Sequence, residues 1–577
     1  MIKKLLPYMN KYKKAAFLAI FFAVIEAIFE LIIPLVMAQI VDVGIGTSNV
    51  AYTIKMGILM VTIALISLSC GLALAKYAAI AGQGFGAELR GAQYRKIQTY
   101  SFKNIEKFST GSLITRLTTD VTSIQNATTM GLKLLVRAPI MLIFACIFAI
   151  SISPRLAMIF LVSIPVLGGT VTFIILKVRP RFQMMQQHVD KLNTVLQENL
   201  IGARVVKAFV RHEKEEEKFK GGNDSLQQAS ENAFGMVVMV MPIMQIVMFS
   251  SLICIFWFGG NMIYGGTLEV GTMTSFIAYS FQILMSLMML AMILMMISRS
   301  VASAARIIEV LEEQPDIVNS SEPVREVANG EIEFRNVNFK YEEESKLNNL
   351  EGINLKIQSG QTIGIMGSTG SAKTSLVQLI PRLYDATEGE VLVGGVNVKD
   401  YDLEVLRDAV AMVLQKNTLF SGSIRENLKW GNPDATEGQI EAACSAACAD
   451  EFIGRLPGQY EMDLGQGGVN VSGGQKQRLC IARALLKTPK VLILDDSTSA
   501  VDTATDAKIR ASFAKDLKDT TKIIIAQRVI SICEADQIIV MDDGKIADIG
   551  THDQLMERCD IYRDVYISQQ EGVGLGE

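Results

Sequence analysis

The sequence predicts a two-part protein: a membrane-embedded, all-α six-helix transmembrane domain fused to a C-terminal α/β P-loop domain. Three observations predict it. Half of the 577 residues are hydrophobic. Long apolar runs alternate with polar connectors up to about Arg306, whereas beyond about Gly330 the chain reads as a soluble α/β domain. In that second part a glycine-rich loop follows one apolar strand, and another apolar strand ends in two carboxylates.

A helix needs about 20 mostly apolar residues to cross a bilayer. The candidates run near Ala15–Ile40, Met56–Ala75, Ala138–Ile152 with its flanks, Leu156–Leu176, Met236–Phe258 and Thr272–Ile297. The third is the weakest, because Lys133 and Arg137 enter one end and Pro154 closes the other. The connectors after the second and fourth spans are long and rich in Lys and Arg, from Arg90 to Arg116 and from Lys177 to Lys214. The alternate connectors are short and poor in both, so the two termini are expected to face the cytoplasm. The long connectors are expected to be helical extensions. Residues 1–14 are basic and amphipathic, with no small-residue cleavage site, and predict an elbow lying on the inner membrane surface. The expected division is therefore 1–14 elbow, 15–310 transmembrane domain, 311–330 linker, 331–570 nucleotide-binding domain and 571–577 tail.

Glu26 and Glu30 share one face of the first span, and Glu26 lies near mid-bilayer. Ionisable groups at that depth are candidate substrate contacts for a cationic compound. The alternative is a pair that faces a wet cavity or bonds across helices. The methionines between Met236 and Met296, with Phe249, Phe256, Phe276, Tyr279 and Phe281, offer either an adaptable pocket or ordinary packing. A formal net charge of −4 gives no reason to expect nucleic acid as a partner. The eight cysteines are scattered and the three histidines lie near no Cys pair, so a structural zinc site is not expected.

Gly367-Ser368-Thr369-Gly370-Ser371-Ala372-Lys373-Thr374 follows the apolar run Thr362–Met366 and precedes Ser375–Ile380. Backbone N–H groups of such a loop cradle phosphates, Lys373 reaches the β- and γ-phosphates, and Thr374 ligates Mg²⁺. Ala372 departs from the usual pattern, in which this position is Gly. Val491–Leu494 ends in Asp495-Asp496, and Asp495 suits the Mg²⁺ shell. These elements predict a site for a nucleotide's phosphates with Mg²⁺; the phosphate loop alone leaves kinases, GTPases and other ATPases open.

Asn470-Val471-Ser472-Gly473-Gly474-Gln475-Lys476-Gln477-Arg478 resembles the signature loop of ABC (ATP-binding cassette) transporters. The surrounding residues resemble that family in order and spacing: Tyr341 the aromatic that stacks on adenine, Gln415 the glutamine that serves metal and catalysis, Asp463–Gly468 the segment contacting the membrane domain, and Ser499-Ala500-Val501-Asp502 the D-loop that follows Asp495-Asp496. The stretches Phe108–Leu117 and Gln197–Phe209 resemble intracellular-loop sequence of six-helix exporters. The resemblance covers essentially the whole chain. It implies an ATPase coupled to transport, with two cassettes face to face and each ATP held between one P-loop (with Ser375) and the other chain's Ser472-Gly473-Gly474-Gln475. A second half-transporter chain is therefore required.

Two more positions depart from the family. Asp496 stands where the family has Glu, and Gln527 where it has a histidine. A carboxylate withdrawn by one methylene is misplaced by about 1 Å, which costs about a hundredfold in rate. The resemblance then implies a slow ATP site, paired with a different chain whose own site is intact. It points to a heterodimeric exporter of drugs or other small hydrophobic compounds in a bacterial cell membrane. A homodimer, a lipid or thiol exporter and an ATP-gated regulator are the alternatives.

Overall fold

The computed structural model describes residues 2–574 apart from 343, 344, 346, 498 and 499. The chain divides into two compact units, Met1–Gln98 with Thr110–Glu313, and Thr99–Ser109 with Gln314–Glu577.

The first unit is helical. Its long apolar helices are α1 (Lys13–Gln39), α2 (Val50–Gln98), α3 (Val121–Ile152), α4 (Pro154–Ile201), α5 (Val240–Tyr264) and α6 (Val270–Glu312). All six carry a stretch apolar enough to cross a membrane. At about 1.5 Å rise per residue, the 49 residues of α2 span more than twice a bilayer's hydrocarbon core, which makes its Lys/Arg-rich end an aqueous extension. The contact between α1 and α2 uses small residues. Ala19 and Ala23 of α1 are fully buried against Leu74 and Ala78 of α2. Small side chains let the two backbones approach, which matters where water supplies no hydrophobic drive between helices. Many large apolar side chains point outward, among them Phe17, Leu161 and Trp257.

Pro34 interrupts the hydrogen-bond ladder of α1. At that turn α6 supplies donors: Tyr279 Oη bonds to the Leu31 carbonyl at 2.7 Å and Ser275 Oγ to the Pro34 carbonyl at 2.5 Å. Phe276 stacks on Phe160, and Tyr279 on Phe148. These two aromatics are thus core residues and not walls of a methionine pocket. Met239, Met241, Met285 and Met292 are exposed on the single chain. The side chains of Met295 and Met296 lie outside the described residues. Residues 2–12 form a short helix and a 3-10 turn whose Lys11 pairs with Glu88 at 3.0 Å.

The second unit holds two sheets. In the first, β1 (Ile332–Phe339), β2 (Leu350–Ile357), β4 (Glu388–Val393) and β5 (Val396–Asn397) pair antiparallel in the order β2-β1-β4-β5. In the second, β3 (Thr362–Gly367), β6 (Val410–Val413), β7 (Val491–Asp495), β8 (Thr521–Ile525), β9 (Gln537–Asp542) and β10 (Lys545–Gly550) run in the order β10-β9-β3-β8-β7-β6. Parallel pairing joins β9, β3, β8, β7 and β6. Every residue of β7 and β8 is buried, as expected of parallel strands covered on both faces. The carboxyl ends of β3, β8, β7 and β6 lie on one edge of this sheet, the edge where open α/β sheets bind ligands.

The short helix Phe102–Phe108 belongs to this second unit. Ser101 and Asn104 close its N-terminus with a capping box. Asn104 also donates to the Gln314 carbonyl at 3.1 Å, and Phe102 meets the ring of Tyr384.

Candidate functional site

Four loops converge at the edge of the parallel sheet. The loop after β3 is the P-loop, leading into α7 (Lys373–Gln378). Gly367 stands at φ +154°, and a Cβ there would lie 2.1 Å from the Met541 carbonyl oxygen of β9. Close backbone approach therefore demands glycine at this position. Ser368, Thr369 and Gly370 are exposed at the loop's tip, and Ser371 Oγ ties the loop to itself through the Ser368 carbonyl at 2.8 Å. Ala372 adopts the left-handed conformation, φ 64° and ψ 25°. The loop thus keeps a glycine's geometry although the residue is alanine, at a cost of about 1 kcal/mol.

Lys373 Nζ lies across the loop, donating to the carbonyls of Gly367 and Ser368 at 2.8 and 2.7 Å and to Ser371 Oγ at 3.2 Å. Burial lowers its pKa, against the pull of Asp495 and Asp496. Thr374 Oγ1 donates to Asp495 Oδ1 at 3.1 Å. Asp495 is almost fully buried, and its Oδ2 has no hydrogen-bond partner among the described residues. Burial raises its pKa, and Thr374 is the largest opposing influence. An orphaned carboxylate oxygen beside a threonine hydroxyl fits a hard divalent cation such as Mg²⁺. Among the described residues no group of three or more His, Cys, Asp and Glu gathers to hold a metal. Thr374 and Asp495 would therefore hold Mg²⁺ together with phosphate oxygens, the usual habit of this ion.

Asp496 follows at φ +48°, a left-handed position that Asp tolerates better than most residues. Gln527, from the segment after β8, donates from Nε2 to Asp496 Oδ2 at 2.7 Å. Burial raises the pKa of Asp496, while hydrogen bonds from Gln527 and then Gln415, together with Lys373, hold it down. Gln415, from the loop after β6, thus reaches the same carboxylate. The expected residues Lys373, Thr374, Gln415, Asp495, Asp496 and Gln527 form one connected constellation.

Tyr341 is placed differently from a ring lying free for a base. Its hydroxyl pairs with Ser375 Oγ at 2.9 Å and donates to Gln378 at 3.3 Å, and the ring packs edge-on against Phe339 and Tyr384. Ser375 is buried beneath it.

Ser472 caps α8 (Gly473–Leu485) through a capping box with Gln475. This box sets the helix start that presents the loop. Gly474 is needed for packing: a Cβ there would lie 2.7 Å from the Ala500 carbonyl oxygen. Gln477, which the signature pattern alone does not single out, accepts from the Ala500 N–H at 3.0 Å. The signature helix and the segment Ala500–Asp502 are therefore joined within the chain. Ser499 lies outside the described residues. Asp502 caps α9 (Thr503–Asp516).

In the first unit Glu26 and Glu30 do come together, and with a partner the sequence did not reveal. Arg137 of α3 bonds Glu26 Oε1 from Nη1 at 3.2 Å and Glu30 Oε2 from Nη2. The charge that weakened the third span as a membrane helix is the counter-ion of the first. Glu26 Oε2 is buried and without a hydrogen-bond partner among the described residues.

Residues 16–287 match the family described as the ABC transporter transmembrane region, and residues 350–499 match the ABC transporter family. The chain is 35% identical over 568 residues to YfiB of Bacillus subtilis, an uncharacterised ABC transporter ATP-binding protein, covering 98% of both. It is 37% identical over 546 residues to an uncharacterised ABC transporter ATP-binding protein of Mycobacterium tuberculosis, covering 94% of this chain and 93% of the other. YgaD of Bacillus subtilis, a putative multidrug export ATP-binding/permease protein, is 32% identical over 490 residues, or 84% of this chain and 83% of its own. A solved bacterial Atm1-family ABC exporter with ATP bound has the same fold, with a TM-score of 0.82 over 96% of this chain and 99% of that one at 22% identity. The chain belongs to the ABC transporter family, as a half-transporter in which a membrane domain is fused to the ABC ATPase that drives transport.

Proposed function

We propose that this chain is the slowly hydrolysing half of a heterodimeric exporter, and that it carries hydrophobic or amphiphilic compounds, drugs among them, out of a bacterial cytoplasm. The observation that carries the reading is the pair Asp496 and Gln527, bonded to each other at 2.7 Å where the family has Glu and His. The shorter acid, engaged by two glutamine amides, is withdrawn from the position in which a general base orients water. The intact loop Ser472–Gln475 serves the partner's ATP. Both termini are proposed to be cytoplasmic, with residues 1–14 as the elbow, 15–310 in the membrane domain and 331–570 as the cassette.

In the chain's own site Tyr341 packs the base once its hydroxyl leaves Ser375, and the P-loop N–H groups hold the phosphates. Lys373 exchanges its loop carbonyls for phosphate oxygens. Thr374, Asp495 and Gln415 would hold Mg²⁺, whose charge would offset that developing on the phosphates. Asp496 orients the attacking water and Gln527 donates a hydrogen bond without supplying a cation. Glu26 and Glu30, with Arg137 between them, are the proposed polar contact for a cationic substrate.

ATP hydrolysis by the chain alone and with its partner tests the reading. Slow turnover alone and fast turnover in the pair are expected. Fast turnover by the chain alone, abolished by Asp496→Asn, makes it a homodimer.

A further inference from the structure

The helix α10 (Asp560–Gly574) has one face in the core of the second unit. Tyr562 is fully buried, and Val565 and Tyr566 pack against the same cluster. The hydroxyl of Tyr562 meets His552 Nδ1 at 2.7 Å, which anchors the helix further. Positions 562, 565, 566 and 569 fall on one helical face, so the same docking that buries Tyr562 delivers Gln569 to the parallel sheet's edge.

There Gln569 bonds two backbone groups at once. Its Oε1 accepts from the Val529 N–H at 2.9 Å, and its Nε2 donates to the Gln527 carbonyl at 2.8 Å. The segment it holds, Ala526–Arg528, lies between β8 and a 3-10 turn at Val529–Ser531 and has no regular structure of its own. Gln527 reaches Asp496 from this segment. A side chain on an irregular segment is only as well placed as its backbone, and a displacement of about 1 Å at a reacting group costs about a hundredfold.

We propose that Gln569 is a positioning residue for ATP hydrolysis, which clamps the backbone of Gln527 and so sets the contact of Gln527 with Asp496. This deepens the reading of Asp496 and Gln527 as the reacting pair and rests on it. Among the described residues no hydrogen bond joins Gln569 to the P-loop or to Tyr341, so loss of the clamp is expected to act on hydrolysis rather than on ATP binding.

Single-turnover hydrolysis of radiolabelled ATP by the full-length chain in nanodiscs tests the proposal. Gln569→Ala should lower the rate at saturating ATP about tenfold, with the half-saturating ATP concentration unchanged. The double variant Gln527→Ala/Gln569→Ala should be no slower than Gln527→Ala, because the second residue acts through the first. Gln569→Glu keeps the acceptor for Val529 but sets a carboxylate against the Gln527 carbonyl. Its rate relative to the unaltered chain should rise as pH falls, as protonation restores the donor, while the ratio for Gln569→Ala stays flat. If Gln569→Ala does not fold, the pH profile of Gln569→Glu decides. An unchanged rate in Gln569→Ala, additive losses in the double variant, or a flat profile for Gln569→Glu overturns the clamp. If Gln527→Ala leaves the rate unchanged, the reading of the reacting pair itself fails.

Discussion

Ala372 and Asp496 both sit at positive φ, 64° and 48°, in the loops that enclose the phosphate site. The two residues meet that demand differently. Asp is among the side chains that tolerate left-handed backbone, whereas Ala gains nothing there to offset the close approach of its Cβ to the following carbonyl. Ala372→Gly should therefore stabilise the nucleotide-free protein by about 0.5 kcal/mol, the strain relieved exceeding the chain entropy added. Ala372→Val should destabilise it by more than about 1 kcal/mol. Thermal unfolding of both variants checks the signs. Asp496→Glu alone gains reach but loses the residue type suited to φ 48°. Combined with Gln527→His it should raise ATP turnover about tenfold or more over the original chain, and more than either change alone. Steady-state phosphate release measures this, and no gain in the double variant would mean that these two positions do not limit the site.

Among the helices, α1 and α3 share an ion group beside their apolar packing. Arg137 bonds both Glu26 and Glu30, whose side chains are 14% and 34% exposed. Removing one member of a half-buried ion group leaves the others poorly compensated, at a cost below the roughly 3–5 kcal/mol of a fully buried one. Arg137→Ala should accordingly lower the unfolding temperature in detergent, and Glu26→Gln/Glu30→Gln added to it should recover most of the loss. A stable Arg137→Ala variant would show that these carboxylates are already solvated or neutral. The tie between α6 and the broken turn of α1 is milder. Tyr279→Phe removes the hydrogen bond to Leu31 and should cost about 0.6 kcal/mol, the average for hydrogen bonds between membrane helices.

For the whole molecule the question is which ATP each loop serves. Within one chain Ser472 hydrogen-bonds Gln475 in its own capping box, and the P-loop group Lys373, Thr374 and Asp495 is bonded separately. If the signature completes the partner's site, Ser472→Ala should depress turnover in the two-chain complex by about tenfold or more and leave the slow hydrolysis of this chain's own ATP nearly intact. Lys373→Ala should do the reverse, abolishing nucleotide binding at this chain's site. Photocrosslinking of an azido-ATP to each chain separates the two outcomes.

The six spans, the P-loop and the signature were legible in the sequence because each is local. A bilayer imposes a length on an apolar run, and a phosphate cradle imposes glycines at fixed offsets. The convergence of Gln415, Asp496 and Gln527 was inferred only through likeness to a family, since these residues are brought together by strand order β3-β8-β7-β6, which no local pattern encodes. Glu26 and Glu30 declared themselves by helical spacing, but Arg137, more than 100 residues away, read only as a flaw in the third span. Helix packing turned that flaw into the counter-ion of the pair. Gln477 was legible only as part of the signature stretch and Gln569 left no signal, because a glutamine on a helix acquires its particular contact only when the fold sets a backbone N–H or carbonyl opposite it. The sequence by itself determined the parts and their chemistry. Tertiary structure decided which side chains share a charge and which hold a loop in place, because hydrogen bonds act over about 3 Å and the chain distances they bridge are tens or hundreds of residues.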